Sequence, residues 1–219
     1  MLKLKFISFL LLISSLNSFA QKLTEDEKTI FDEVVYKRKK VGDYETLTKW
    51  DKPIRYKIYG DTSEYLVKEV DSFFNKLSKL TSLDIKKASN SLEENYEIVF
   101  GEKPEDFIPY TLLNKPLNSP GSYRIKLTKG AEINFGQSLI NTKKYGSRLN
   151  IRNGIKRTII KTLGFSNNSK LAPRSIFTNL NHIIKLDDFD SHIISALYNP
   201  AIKPGMTRDQ VDQILNQKN

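Results

Sequence analysis

A chain of 219 residues, 39% of them hydrophobic, is long enough to bury one core and too apolar to be disordered. It has no cysteine, which excludes a disulfide framework and any thiolate metal site. Its formal charge of +10 points to anionic rather than cationic partners.

The first twenty residues have the three parts of a cleavable secretory signal. Lys3 and Lys5 form a positive start, Phe6 to Ile13 an apolar stretch, and Ser18-Phe19-Ala20 a small-residue cleavage site. The apolar stretch is far shorter than the roughly 20 residues needed to span a bilayer. Cleavage near Ala20-Gln21 is therefore expected, delivering a secreted or periplasmic chain. No cysteine follows the site to receive a lipid. Without Lys3 and Lys5, 33 basic residues face 25 acidic ones, a net +8.

Thr24 and Glu27 form a capping box, and Ile30, Phe31, Val34 and Val35 share one helical face, predicting a short amphipathic helix. The run Lys37-Arg38-Lys39-Lys40 closes it and reads as a solvated helix end in preference to an anion-binding tract. Ile54, Tyr56 and Ile58 alternate with polar neighbours, as a strand requires. Leu66, Val70, Phe73, Phe74, Leu77 and Leu80 then recur at three and four, predicting a long helix with one buried stripe. Short strands are expected at 83–86 and 96–100, a proline-rich loop at 101–120, and a hairpin from Tyr123 to Ile140 turning at Lys129-Gly130. Helices follow at 151–163, 187–198 and 208–215, the last opened by a capping box of Thr207 and Gln210. The class is α+β: a mixed twisted sheet with long helices and a mostly helical C-terminal part.

The order of elements resembles zincin peptidases, which place a long helix and a twisted sheet above a second helix. That second helix carries H-E-x-x-H under the sheet's edge strand, continued in metzincins as H-E-x-x-H-x-x-G-x-x-H. Trp50, Lys52, Pro53 and Gly60, and later Leu163-Gly164, Ser175-Ile176-Phe177, Leu197-Tyr198-Asn199-Pro200 and Ile202 to Thr207, resemble the signature of one family. It is an uncharacterised secreted bacterial domain family grouped with zincin-like peptidases. The resemblance implies a zincin-like domain at 47–207, which with the signal peptide at 1–20 leaves a helical extension at 21–46 and a C-terminal helix at 208–219.

Aligning Gly164 with the motif glycine puts Arg157 and Lys161 at the two histidine positions, Thr158 at the glutamate and Asn167 at the third ligand. Relatives of this type carry His-Glu at Arg157 and Thr158 and a glutamine at Lys161. Here every ligand position is altered, and two cations one turn apart repel a divalent metal. No metal and no cofactor is expected. Arg152, Lys156, Arg157 and Lys161 could instead form an anion site, although a solvated basic face is the simpler reading.

Other chemistries find less support. The only histidines are His182 and His192, so a three-histidine site is excluded in one chain. Asp188 and His192, with Asp187 and Asp190 nearby, could share a face, yet acids at a helix start are better explained by its dipole. No serine lies in a G-x-S-x-G elbow. Glu93-Glu94 and the acids of 102–106 fall in loops, and Trp50 reads as packing before it reads as a sugar platform. The Pro204-Gly205-Met206-Thr207 tail also resembles the opening of small envelope-assembly lipoprotein domains, with too little chain after it to build one. The expectation is an exported, non-catalytic binding or adaptor protein whose partner is an envelope protein, peptide or anionic polymer. The alternative is a secreted hydrolase acting on envelope peptide or glycan through a divergent site. Specific nucleic-acid binding is not expected.

Overall fold

The structure, a computed structural model, describes residues 22–36, 46–178 and 186–216. The signal segment, the Lys37–Lys40 run and His182 lie outside the described residues. Helix α1 spans Glu25–Val35 and opens with the expected capping box: the Glu27 amide donates to Thr24 Oγ1 at 3.2 Å, and the Thr24 amide donates to Glu27 Oε2 at 2.7 Å. Strand β1 (Ile54–Gly60) leads into the long helix α2 (Glu64–Thr81), which buries Leu66, Val70, Phe73, Phe74 and Leu77. Strands β2 (Ile85–Lys87), β3 (Tyr96–Gly101), β4 (Gly121–Leu127) and β5 (Ile133–Asn141) complete the sheet.

The sheet order is β2-β1-β3-β5-β4. All pairings are parallel except β4 with β5, the predicted hairpin, which leaves β4 as an antiparallel edge. The segment between β3 and β4 is less irregular than its prolines suggest. It holds 3-10 turns at Pro104–Tyr110 and Leu112–Asn114, with Pro104 at a turn start, where its missing N–H is not needed.

Alternation along the strands separates two faces. One face sends Ile54, Tyr56, Tyr96, Ile98, Phe100 and Ile140 into the main core, beneath the helices. On the other, Phe107 and Leu117 pack on Val99 and Leu139 at the carboxyl end. After β5 come α3 (Thr142–Tyr145), α4 (Arg148–Thr162), α5 (Asp188–Leu197) and α6 (Arg208–Asn216). Leu23 to Tyr36 at one end and Val211 at the other belong to the same buried cluster as the sheet. The helices set apart above as an extension and a tail therefore share the domain's core. Trp50 is fully buried and packs as expected.

Helix α4 is the hub. Ser147 caps it, accepting from the Asn150 amide at 3.2 Å, and it packs against β4, β5 and α2. It buries Ile151, Gly154, Ile155, Thr158, Ile159, Ile160, Lys161 and Thr162, residues drawn from most of its circumference.

Candidate functional site: the end of helix α4 and its turn

The last carbonyls of a helix lack intrahelical donors and must find others when buried. In α4 and the turn after it, four side chains supply them. Trp50 Nε1 donates to Thr162 O at 2.9 Å, Tyr198 Oη to Leu163 O at 2.9 Å, and Tyr123 Oη to Ser166 O at 3.1 Å. Lys161 Nζ donates to Asn167 O. The chain reverses at Gly164, with φ of +106°, where an added Cβ would lie 2.1 Å from Thr48 O. Asn167 is fixed in turn: its amide donates to Val34 O at 3.3 Å and its Nδ2 to Tyr36 O at 2.7 Å.

The residues that the motif alignment assigned to zinc-ligand positions are engaged with protein partners. Thr158 turns its hydroxyl back on the helix, donating to Gly154 O at 3.0 Å and Ile155 O at 3.1 Å. Lys161 is 9% exposed, so it is not part of a solvated face. Burial, assisted by the Arg157 charge, lowers its ammonium from 10.5 to about 7. Arg157 is half-buried beside Tyr145, and burial lowers it while Tyr145 opposes the shift. A divalent metal needs converging lone pairs. This set offers a guanidinium, a hydroxyl already committed to the helix, and an ammonium donating to the third-ligand position. The residues do not fit a zinc ion.

The four cations named as an anion site do not converge. Arg152 and Lys161 lie nine residues apart on α4, about half its circumference. Arg152 Nε donates to Glu69 Oε1 of α2 at 2.9 Å, and Lys156 shares that neighbourhood, lowered by burial and by Arg152. Arg157 and Lys161 form a separate pair on the side of Tyr145 and Asn167.

Tyr145 was not singled out in the sequence. A Cβ on Gly154 would lie 2.3 Å from its Cζ, and one on Gly121 would lie 2.6 Å from its Oη. Two glycines, one on α4 and one starting edge strand β4, thus leave the space that this ring fills. With Tyr123 it laces the edge strand to the helix. Lys49 was also missed: it is buried, donates to Leu197 O at 3.0 Å and Ile202 O at 2.9 Å, and is lowered by burial to about 8. No local pattern announces either residue: the partners of Lys49 lie 148 and 153 residues away, and Tyr145 meets Gly121 and Gly154 only once β4 packs on α4.

The acids near His192 serve the fold. Asp187 caps α5 by accepting from the Asp190 amide at 3.0 Å. Asp190 is buried against Ser175 Oγ at 2.5 Å and the Ile176 amide, and burial raises its carboxyl to about 6. His192 Nδ1 lies 2.8 Å from Glu27 Oε1, joining α5 to the α1 capping box. Glu94 accepts from Tyr59 Oη at 2.7 Å, and Asp106 from the amides of Glu102 and Lys103 at 2.9 Å. Among the described residues no group of three histidines or acids could hold a metal ion.

Two open clefts lie elsewhere. One of about 520 Å³ lies between α1, the 171–175 segment and the start of α5, lined by Ile30, Ala172, Phe189, Arg174, Asp26 and Asp187. Another of about 520 Å³ lies at the carboxyl ends of β1 and β3, beside Asp61, Glu102, Asp106 and Tyr110. No described helix is long and apolar enough to cross a membrane.

A five-stranded mixed sheet carried on a buried helix, with that helix's terminal turn bonded to three distant side chains and to the helix's own Lys161, defines an α+β domain organised around a closed helix–turn unit. The chain belongs to the family described as a protein of unknown function, DUF2927, whose profile matches residues 28–217. The match starts inside α1 and runs through α6, as the shared core does. No curated protein matches the chain.

Proposed function

We propose that this is an exported protein on a zincin-like scaffold that has given up zinc chemistry and acts as a non-catalytic binding or adaptor protein of the cell envelope. The scaffold part is supported by arrangement. The long helix α2 and the sheet lie over α4, the antiparallel edge strand β4 runs beside α4, and a left-handed glycine follows α4. Export is supported by the sequence of residues 1–20.

The observation that carries the loss of chemistry is the bond from Lys161 to Asn167 O. It joins the position of the second zinc ligand to that of the third, so a side-chain amine makes the crosslink a metal would make. Tyr145 fills the space between edge strand and helix, and Tyr123 ties the strand to the turn after α4. The protein without its signal segment should therefore leave peptide and casein substrates intact, with or without chelator. Turnover that a chelator abolishes would overturn the proposal, and chelator-insensitive turnover would favour a hydrolase with another site.

A further inference from the structure

A mainly parallel sheet is usually covered on both faces. Among the described residues, the apolar cluster on the face turned away from α2 and α4 lies at its carboxyl end, where Phe107 and Leu117 pack. On the remainder, strand register aligns Lys57, Glu97, Gln137 and Arg124 in one row across β1, β3, β5 and β4. The next row toward the amino ends of the parallel strands has Lys86 and Arg55 on one side and Phe135 beside Lys126 on the other.

Three of these cations have no carboxylate partner among the described residues: Lys57, Arg124 and Lys126. They are held by rings instead. Lys126 Nζ lies 4.9 Å from the Phe135 centroid, Arg124 Cζ 5.5 Å from the same centroid, and Lys57 Nζ 5.0 Å from that of Tyr59. Arg124 Nε is shielded from solvent with no acceptor. Most carboxylates on this half of the face are engaged: Glu97 accepts from Gln137 at 2.5 Å, and Asp84 is shared by Arg55 and Lys86.

We propose that this cationic half-face binds a linear phosphate polymer. The cations extend from β1 to β4, three strand spacings or about 14 Å, which is too wide for one anion and suits several linked ones. Arg124 brings a fork and Lys126 a point charge to the same ring, and the successive tetrahedral groups of a phosphate chain offer acceptors to both. A nucleic acid is disfavoured because the Phe135 ring already carries two cations and is not free to stack on bases. A bilayer is disfavoured because the exposed Leu112 and Leu113 that could enter it lie in the connection at the other end of the face, with Glu105 and Asp106.

The test is titration of labelled inorganic polyphosphate into the protein at several salt concentrations. Arg124→Gln/Lys126→Gln should weaken binding by about tenfold or more and reduce the log–log salt slope by about two, with an unchanged urea midpoint. Lys79→Gln/Lys170→Gln, which removes two exposed charges elsewhere, should bind as the wild type does. Equal loss in both variants, or none in the first, would overturn the site. Tighter binding of single-stranded DNA, polyglutamate or phosphatidylglycerol vesicles than of polyphosphate would overturn the assigned ligand.

Discussion

The ammonium of Lys161 donates to the backbone carbonyl of Asn167, closing the turn that Gly164 begins and tying it to α4. The bond is partly buried, so removing the amine leaves a shielded acceptor without its donor. Lys161→Ala, which also opens a cavity, should lower unfolding free energy by about 2–4 kcal/mol. Lys161→Met, which keeps the volume, should lower it by about 1–2 kcal/mol above pH 10.5, where the amine is neutral folded and unfolded, and by less as pH falls. Urea denaturation measures both. A loss below about 0.5 kcal/mol in each would mark the amine as a solvated surface group.

The same lysine makes stability depend on pH. Its folded-state value of about 7 lies below the ordinary 10.5, so between these the unfolded chain binds more protons and stability rises with pH. Lys49, at about 8, acts in the same direction. Each contributes up to about 1.4 kcal/mol per pH unit inside its window, and the contribution is lost as pH falls through the folded value. Asp190 is opposite: raised from 3.8 to about 6, its contribution is present below 3.8 and lost as pH rises through 6. Urea midpoints should therefore climb from pH 7 to 9 in the wild type, less steeply in Lys161→Met. Asp190→Asn should remove the loss between pH 4 and 6.

Gly164 is irreplaceable on two counts, its positive φ and the approach of Thr48 O. Gly164→Ala should destabilise by about 3 kcal/mol or more, since the obstacle is backbone that cannot swing aside. A change below about 1 kcal/mol in thermal or urea unfolding would contradict the tight turn.

Gly154 offers a double-mutant cycle. In an exposed helix, Gly→Ala gains about 1 kcal/mol, but here the new methyl meets the Tyr145 ring. Gly154→Ala should destabilise the wild type and stabilise the Tyr145→Ala variant. The same sign in both backgrounds would mean that Tyr145 does not fill the gap between β4 and α4.

Much of the fold was legible because its signals are local. Thr24 and Glu27 sit three apart, the α2 stripe repeats within one helix, and the β4–β5 hairpin turns at Lys129-Gly130, so neighbouring residues alone define each element. The site was legible only in part. Lys161 and Asn167 were marked by their distance from Gly164, yet the sequence reading favoured a solvated basic face, and Lys161 is buried. Arg152 and Lys156 look contiguous with Arg157 in sequence, but the helical period turns them toward Glu69. Tyr145, Tyr123, Trp50 and Tyr198 act on α4 or its turn through contacts that only the assembled sheet and helices create.

The central claim, that an amine takes the place of a metal, is tested most directly by metal analysis of protein purified without a histidine tag and dialysed against zinc. The account predicts substoichiometric zinc and an unfolding midpoint that does not move with zinc or chelator. One zinc per chain that survives dialysis, with a midpoint that falls when chelator removes it, would contradict it.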